Sequence, residues 1–406
     1  MRVVHICTNY NGGAGKAAFR LHNALLNDGV DSVFISLGQQ PLIDVKGNKT
    51  VLLKWDFPFF VKLIIKLRKK LGLEHQYIIQ LRELMPKLNY LTVSLPISNL
   101  RLHNIKEIQN ADIINLHGVT HILDYKTFFR KMKKPIVWTL HDINPIAGIF
   151  HLRTDEVNNK ILAHNFDVKV FKYKVAAYRN FKRGTIVAPS HWLYKESIKR
   201  QAFHKLVHYE IPNSIPDIYF NAIDRIRLKE QYKIPLDVVT LLFVSSDLSD
   251  KNKGFDLLLA ALQLIEEAAI HLLIVGGGDQ SVFQEYKNTA FGYVSEDAEM
   301  TSIYNLADIF VIPSRDENLP NVLLESLACG TPVVSFKIGG MVQYIQEGVN
   351  GELAKEVGSK SLGETLNKAI KNKNNYSRVD IKANALLNFK KNKQAAKYLE
   401  IYNSFY

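Results

Sequence analysis

The sequence has 406 residues, of which 47% are hydrophobic and 10% aromatic, and its formal net charge is +13 at pH 7. This composition excludes a disordered or fibrous chain, and the length exceeds what one hydrophobic core usually organises, so we expect two globular domains. The two cysteines, Cys7 and Cys329, provide neither a disulfide framework nor a metal-binding spacing, which favours a reducing, cytoplasmic environment. The N-terminus reads as a strand and no long apolar stretch occurs, so we expect neither a signal peptide nor a membrane-spanning helix.

Positive charge is concentrated in the first half of the chain. Residues 1–212 contain 32 Lys and Arg against 15 Asp and Glu, whereas the remainder contains 20 against 24. Such an asymmetry predicts an anionic surface or ligand near the first half. The sequence has no recognition-helix, zinc-finger or aromatic-and-basic RNA signature. We therefore expect no nucleic-acid partner and favour an anionic membrane surface or a lipid pyrophosphate.

The first half alternates apolar runs with helical patterns, and a glycine-rich loop follows its first predicted strand. The predicted strands are residues 3–8, 32–37, 112–117, 135–142 and 184–190, a pattern typical of a parallel α/β sheet. In the loop, Gly12, Gly13 and Gly15 would let a ligand approach the backbone closely. Their spacing matches neither a Walker loop nor a complete dinucleotide-binding fingerprint. The alternative is a tight strand-to-helix turn without a ligand.

Residues 57–72 form an amphipathic segment. The pattern from Pro58 to Leu71 predicts a helix with one apolar stripe. The opposite side is basic and carries Lys62, Lys66, Lys69 and Lys70. A basic face opposite aromatic and aliphatic residues is typical of a helix that lies in the membrane interface. The alternative is a core helix with snorkelling lysines; we favour docking on the cytoplasmic leaflet.

The predicted domain boundary lies at residues 211–217, where two prolines interrupt an extended stretch. It separates an N-terminal domain of residues 1–212 from a C-terminal domain of residues 213–388. Residues 389–406 form a predicted amphipathic helix. The predicted strands of the C-terminal domain are residues 239–245, 271–276, 291–294, 308–313 and 333–336.

The most informative stretch is 317–325. It begins with Glu317 and ends with Glu325, and the turn between these two carboxylates contains Pro320. Pro320 suits the first helical position, and Asn318 and Asn321 are expected to supply cap-like polar groups. A helix that starts there directs free N–H groups and its positive dipole end at a ligand, which predicts a phosphate site. Glu317 then lies beyond the carboxyl end of a buried strand, where open α/β sheets bind ligands. The alternative is a surface loop and an amphipathic helix with two solvated acids.

Together with its flanks at 307–314 and 330–336, this stretch resembles the E-x7-E element of retaining glycosyltransferases of family 4, which have the GT-B fold. The resemblance implies an α/β protein of two Rossmann-like parallel-sheet domains that face a central cleft, with the C-terminal helix returning to the first domain. It also implies that Glu317 faces the transferred sugar and that Glu325 faces the ribose of the sugar nucleotide.

The same resemblance assigns roles to other residues of the C-terminal domain. Lys253, followed by Gly254, matches the lysine that neutralises the leaving nucleoside diphosphate. Val294 matches the segment whose backbone meets the base. Where the family usually has an arginine near the start of the lysine stretch, this sequence has Asp247. Lys251 or an arginine of the first domain is therefore the expected substitute.

In the N-terminal domain, His117 matches the family histidine that hydrogen-bonds the sugar and acceptor region, and His141 is a second, weaker candidate. The glycines at 12–15 match the loop that faces the donor diphosphate and the acceptor. The neighbouring sequence is most similar to bacterial exopolysaccharide and colanic-acid-type enzymes, although residues 147–152 lack the cysteines that many of those carry. His5 is interpreted as an ordinary structural histidine.

The resemblance implies a metal-independent, hexosyltransferase-type enzyme without a cofactor. It would move a sugar, with retention of configuration, from a nucleoside-diphosphate sugar to a saccharide or polyprenyl-diphosphate-linked acceptor in surface polysaccharide or capsule biosynthesis, on the inner face of the cytoplasmic membrane. The alternatives are a non-hydrolysing sugar-nucleotide epimerase and a non-catalytic GT-B subunit that binds a nucleotide sugar. The predicted catalytic residues are His117, Lys253 and Glu317. The predicted donor-binding residues are Gly12, Gly13, Gly15, Val294, Asn318, Leu319, Pro320, Asn321, Val322 and Glu325, with Lys251 and His141 as further candidates.

Overall fold

A computed structural model describes residues 1–53, 63, 66, 67, 69, 71, 74–90, 92–266, 269–279 and 283–406. The chain divides into two compact units: unit 1 is Met1–Ile211 together with Ala395–Tyr406, and unit 2 is Pro212–Gln394. Apart from a few single positions, the amphipathic segment predicted at 57–72 lies outside the described residues. None of the helices in the described part of the chain has both the length and the apolarity that crossing a membrane requires.

Unit 1 is built on a parallel sheet. Its strands are Arg2–Asn9 (β1), Asp31–Leu37 (β2), Val51–Leu53 (β3), Ile113–Leu116 (β4), Ile136–Thr139 (β5), Gly184–Ala188 (β6) and Val207–Glu210 (β7). They lie in the order β3-β2-β1-β4-β5-β6-β7, and all the pairings are parallel. This order places the carboxyl ends of β1, β4 and β5 side by side.

Helices and apolar clusters cover this sheet. Val4, Ile114 and Trp138 belong to one buried cluster, while their chain neighbours Val3 and Ile113 belong to another. Alternate side chains of a strand point to opposite faces, so the sheet has a core on each side. The helices of unit 1 are Gly13–Asn27 (α1), Gln76–Leu84 (α2), Lys106–Gln109 (α3), Tyr125–Lys131 (α4), Arg153–Asn158 (α5), Lys160–Tyr178 (α6) and His191–Lys199 (α7).

Unit 2 is built on a second parallel sheet. Its strands are Val239–Asp247 (β8), Ile270–Gly277 (β9), Asn288–Gly292 (β10), Ile309–Ile312 (β11), Val333–Phe336 (β12) and Gly351–Ala354 (β13). They lie in the order β10-β9-β8-β11-β12-β13. The helices of unit 2 are Arg225–Gln231 (α8), Phe255–Leu262 (α9), Asp297–Leu306 (α10), Asn321–Ala328 (α11), Met341–Tyr344 (α12), Ser359–Lys371 (α13) and Arg378–Phe389 (α14). The last helix, Lys391–Asn403 (α15), begins in unit 2 and lies mostly in unit 1. The predicted α/β class is confirmed.

Several predicted elements need correction. The strand expected at 291–294 lies at Asn288–Gly292, and it ends where Gly292 adopts a left-handed φ of 67°. The single helix expected over 389–406 is preceded by a break, because Lys390 is extended between α14 and α15. The strands β3, β7 and β13 were not predicted, because each lies at a sheet edge and none contains an apolar run longer than three residues.

Candidate functional site

In unit 2, two loops at the carboxyl edge of the sheet are joined to each other. Arg315 follows β11, and its N–H donates to the carbonyl of Asn252 at 2.7 Å. Asn252 lies in the short 3-10 turn after β8, and its side-chain amide donates to the carbonyl of Asp316 at 2.8 Å. At the end of that turn Gly254 has a φ of 69°, and a Cβ there would overlap the carbonyl oxygen of Pro313. Glycine at this position therefore allows the close approach of the two loops.

This approach brings together two of the predicted catalytic residues. The Nζ of Lys253 lies 2.6 Å from Oε1 of Glu317, and their side chains are 29% and 13% exposed. Burial lowers the pKa of Lys253, but the carboxylate of Glu317 outweighs it, and the net pKa is raised. The lysine is therefore charged at neutral pH, so the pair offers a cation and a carboxylate within one hydrogen bond.

The second carboxylate of the motif is buried in α11. Glu325 is 5% exposed, and its Oε2 accepts a hydrogen bond from the hydroxyl of Tyr304 at 3.1 Å. Burial and then the charge of Glu325 raise the pKa of Tyr304 well above its usual range. The tyrosine thus stays a neutral donor that holds the Glu325 side chain.

The start of α11 differs from the prediction. The helix begins at Asn321, and Pro320 is the residue before it, with an extended ψ of 136°. Asn318 and Asn321 are not caps: the carbonyl of Asn318 accepts the Gly340 N–H, and the side-chain oxygen of Asn321 accepts from Asn213 at 3.0 Å. No side chain of the described residues caps this helix. Its first backbone N–H groups therefore keep the character of an anion site.

Three further predicted donor-binding residues belong to the core of unit 2. Val294 and Leu319 are 7% and 6% exposed, and Val322 packs against the same apolar cluster. Their side chains are occupied by packing, so what they can offer a ligand is their backbone groups. Behind the loop, Gly339 has a φ of 46°, and a Cβ there would overlap the carbonyl of Glu317.

The position of the missing arginine is solvent-exposed. The carboxylate of Asp247 accepts hydrogen bonds from the N–H and hydroxyl of Ser249, and these bonds lower its pKa. Sequence reasoning did not select Arg315, a further cation in these two loops. It forms a two-point ion pair with Asp256 at 2.9 and 2.6 Å and donates to the carbonyl of Lys251. The sequence signal for Arg315 was its place three residues after the buried strand β11.

In unit 1, the glycine loop follows β1 and opens α1. Gly12 precedes the helix, and its carbonyl accepts the Lys16 N–H at 2.9 Å. A Cβ at Gly15 would overlap the carbonyl of Asn9 and the backbone of Tyr10. Gly15 is therefore required by the close packing of helix and strand.

Three histidines from adjacent strands form a string at the same edge of unit 1. His117 lies between the other two: its Nε2 is 3.0 Å from Nδ1 of His5, and its Nδ1 is 3.1 Å from Nε2 of His141. His5 and His117 are buried, whereas His141 is partly exposed. Burial lowers the pKa of all three, that of His141 to about 4. His5, interpreted as ordinary from the sequence, is thus part of the predicted His117 site. No group of three metal-ligating side chains was found in the described part of the chain.

Comparisons with known proteins agree with this geometry. The family "Glycosyl transferases group 1" matches residues 239–372, within unit 2. An uncharacterized glycosyltransferase of Methanocaldococcus jannaschii is 31% identical over 145 residues, which are 33% of this chain and 36% of that protein. The match thus spans about a third of this relative. An uncharacterized 41.2 kDa protein in the cps region of Klebsiella pneumoniae is 22% identical over 322 residues, 76% of this chain and 84% of that protein.

Among solved structures, that of Anabaena HepE in complex with UDP superposes with a TM-score of 0.68 at 17% identity, and the alignment covers 100% of both chains. This likeness confirms the predicted GT-B fold. The two parallel sheets, the paired Lys253 and Glu317 and the family match over residues 239–372 together make this chain similar to the group 1 glycosyltransferases, family 4.

Proposed function

We propose that the protein is a retaining, metal-independent glycosyltransferase that moves a hexosyl group from a nucleoside-diphosphate sugar to a saccharide acceptor. The observation that carries this proposal is the Lys253–Glu317 pair, which lies a few residues before the first turn of α11. The pair supplies a cation for a leaving phosphate and a carboxylate for sugar hydroxyls. Retention and independence of a metal are taken from the family resemblance.

Unit 2 is the proposed donor-binding unit. When the bond from the anomeric carbon to the diphosphate breaks, negative charge builds on the leaving phosphate, and preorganised donors lower the barrier. In this proposal Lys253 leaves its ion pair with Glu317 and binds the leaving phosphate. The N–H groups at the start of α11 donate further hydrogen bonds to that phosphate. The acceptor oxygen forms the new bond to the anomeric carbon as the bond to the phosphate breaks. The departing phosphate oxygen takes the proton that the acceptor hydroxyl loses.

Glu317 has an orienting role in this proposal. Released from Lys253, its carboxylate accepts hydrogen bonds from hydroxyls of the transferred sugar. It does not attack the anomeric carbon, unlike the nucleophilic carboxylate of retaining glycoside hydrolases. Glu325 contacts the ribose, and the backbone at Val294 meets the base. HepE was crystallised with UDP and with UDP-glucose, which makes UDP-hexoses the first donors to test.

Unit 1 is the proposed acceptor-binding unit. His117 and the backbone of Gly12, Gly13 and Gly15 are assigned to the sugar and acceptor region on the family resemblance. The excess of basic residues in 1–212 suits an acceptor that carries a lipid diphosphate. The relative in a cps region supports a role in capsule or exopolysaccharide synthesis at the cytoplasmic membrane.

The test of the donor reaction is nucleotide release. UDP-glucose, UDP-galactose and GDP-mannose are screened by thermal shift, because a ligand that binds the native state raises its melting temperature. We expect one donor to stabilise the protein and to yield nucleoside diphosphate faster when a saccharide acceptor is added. Conversion of the donor to an isomeric sugar nucleotide without acceptor would instead identify an epimerase. Stabilisation by a donor without any turnover would identify a non-catalytic subunit. The observation that favours this alternative is Asp247, which stands where the family usually has an arginine.

The membrane part of the proposal is tested by co-sedimentation with vesicles that contain anionic lipid. We expect the wild type to sediment with them at low salt. A variant with Lys62, Lys66, Lys69 and Lys70 changed to Glu should stay in the supernatant, because the attraction to anionic lipid is lost. Equal binding by both proteins, or binding by neither, would contradict membrane docking through 57–72.

A further inference from the structure

Lys253 lies in the loop after β8, and one residue of the loop after β11, Arg315, is bonded on both sides of it along the chain. On the N-terminal side, the guanidinium of Arg315 donates to the carbonyl of Lys251. The backbone N–H of Arg315 donates to the carbonyl of Asn252 at 2.7 Å. On the C-terminal side, the guanidinium forms two hydrogen bonds with the carboxylate of Asp256, at 2.9 and 2.6 Å. Lys253 therefore lies between two points that Arg315 holds.

The same two loops carry the two partners of the Lys253–Glu317 ion pair at matching places. The side-chain amide of Asn252 donates to the carbonyl of Asp316 at 2.8 Å. One residue further along each loop, Nζ of Lys253 lies 2.6 Å from Oε1 of Glu317. The contacts between the loops therefore set the separation across which the ammonium and the carboxylate meet.

The turn that contains Lys253 has little room to change its shape. The Lys253 N–H donates to the carbonyl of Asp250 at 2.9 Å and closes the turn. Gly254, at the end of the turn, has a φ of 69°, and a Cβ there would overlap the carbonyl oxygen of Pro313. Because the turn is packed this closely against the loop after β11, a displacement of Arg315 is transmitted to it.

The ion pair of Arg315 and Asp256 is a specific arrangement on the surface of unit 2. The two side chains are 29% and 64% exposed, and an ion pair of this exposure contributes little to the stability of a fold. Its geometry is nevertheless demanding, since a planar guanidinium serves a carboxylate and a carbonyl together, which the ammonium of a lysine does not reproduce. The pair therefore affects the local shape of the loop more than the free energy of unfolding.

We propose that Arg315, with Asp256 and Asn252, forms a clasp that positions Lys253 for the leaving diphosphate. This inference rests on the proposed function. Arg315 itself does not touch the donor; it acts through Lys253 and is a positioning residue.

The clasp has a particular importance in this chain, because Asp247 stands where the family usually has an arginine. More of the charge stabilisation at the leaving phosphate then depends on Lys253. A preorganised cation lowers the barrier only from its proper place, and a small displacement slows the chemical step. Loss of the clasp should therefore reduce kcat more than donor affinity, since the flexible lysine side chain still reaches the bound phosphate.

The first test is hydrogen exchange, measured by mass spectrometry on the full chain without a ligand. Arg315→Lys keeps the charge but breaks the clasp, so the amides of residues 250–254 should exchange about tenfold faster than in the wild type. Peptides from Ser359–Lys371 of the same unit should exchange at the wild-type rate, which shows that the change is local. Arg82→Lys is the matched control, because Arg82 forms an ion pair with Glu74 in unit 1.

The second test is the turnover of UDP-glucose, UDP-galactose and GDP-mannose in the presence of a saccharide acceptor. Arg315→Lys should lower kcat about tenfold and change the KM for the donor by less than about threefold. Asp256→Asn weakens the same contact from the other side and should act in the same direction, to a smaller extent. Arg82→Lys should turn over the donor like the wild type.

A double variant distinguishes positioning from direct contact with the donor. In Lys253→Met the group that Arg315 positions is gone, so the addition of Arg315→Lys should not reduce kcat further. If the two losses in kcat multiply instead, Arg315 binds the diphosphate itself, and the positioning role is overturned.

The outcomes also separate the clasp from the donor reaction. Wild-type exchange in Arg315→Lys, or faster exchange together with a wild-type kcat, overturns the proposal. Faster exchange at residues 250–254, in a protein that turns over none of the sugar nucleotides, supports the clasp and refutes the proposed function. A midpoint of urea unfolding equal to that of the wild type shows that a lower kcat is not lost folding.

Discussion

At the scale of single residues, the ion pair of Lys253 and Glu317 imposes a competition on donor binding. The lysine cannot keep its 2.6 Å contact with the carboxylate and also neutralise a diphosphate at full strength. Since both side chains are mostly shielded from solvent, the cost of desolvating the two charges offsets much of their attraction, and the net contribution of the pair to stability is modest. Its geometry instead keeps the ammonium group in place before the ligand arrives.

This competition predicts opposite effects on nucleotide binding for the two partners. Lys253→Met should weaken UDP binding, whereas Glu317→Gln should leave it unchanged or tighten it, because the lysine is released. Both should reduce transfer by about 10²-fold or more, the scale of losing one preorganised contact. Calorimetry with UDP and nucleotide-release kinetics measure the two quantities.

The control for these variants is an ion pair that is far more exposed to solvent than the pair of Lys253 and Glu317. Lys371 and Glu266 form a contact whose side chains are 67% and 69% exposed. Lys371→Met should behave like the wild type in both assays. Wild-type turnover in Lys253→Met or Glu317→Gln would contradict the site assignment.

At the scale of elements, helix α6 supports the loop after β5 through one buried lysine. Lys174 is fully buried, donates to the carbonyl and side-chain oxygens of Asn144, and lies 5.7 Å from the ring centre of Tyr125. Burial lowers its pKa from 10.5 to about 7, despite the opposing charges of Asp167 and Asp142.

This lowered pKa predicts a pH dependence of stability. At pH values between about 7 and about 10.5, Lys174 is protonated in the unfolded chain and neutral in the folded chain. The free energy of unfolding should therefore rise with pH across this window, by up to about 1.4 kcal/mol per pH unit. Lys174→Met should lose that rise, as measured by urea unfolding at several pH values.

The matched control is on the same helix. Lys172 is exposed, so Lys172→Met should keep the wild-type slope. If Lys174→Met and the wild type show the same slope, the lysine is not neutral in the folded protein and the predicted pH dependence is wrong.

At the scale of the whole molecule, unit 1 is completed by the end of the chain. Tyr398 and Tyr402 of α15 are fully buried among residues of β1, β4 and β5. The hydroxyl of Tyr402 accepts from the side chain of Asn115 at 2.8 Å, and that of Tyr398 shares a 2.8 Å hydrogen bond with Thr139. Unit 1 therefore reaches its full core only when Ala395–Tyr406 are packed against the sheet.

This arrangement predicts a large effect of a small change near the C-terminus. Tyr402→Ala should lower the free energy of unfolding of unit 1 by about 3–5 kcal/mol, the range for removing a large buried aromatic side chain. Tyr402→Phe should cost about 1 kcal/mol, the value of one hydrogen bond. All three tryptophans lie within residues 1–211, so tryptophan fluorescence follows this unit during urea unfolding.

The exposed terminal residue provides the comparison. Tyr406 is 78% exposed, and Tyr406→Ala should unfold like the wild type. An unfolding curve of Tyr402→Ala that coincides with that of the wild type would show that α15 is not part of the core of unit 1.

The amino-acid sequence by itself determined the parallel α/β class, most of the inner strands and the motif that carries Glu317. Buried strands such as β4, β5 and β12 are continuous apolar runs, and such runs are local in sequence. Short edge strands such as β7 have no comparable run, because only one face or neither is buried. Helix α11 starts at Asn321, one residue later than predicted, because Pro320 has an extended ψ of 136°.

Only the tertiary structure decided which polar side chains meet. His5 and His117 are 112 residues apart, and Ser94 and His151 are 57 apart. No periodicity or spacing joins such pairs, because their contact depends on the order of the strands in the sheet. The order β1-β4-β5 brings the histidines of three separate segments to one edge. The sequence thus named His117 and ranked His141 second, while the burial of His117 behind His141 became evident only from the packed sheet.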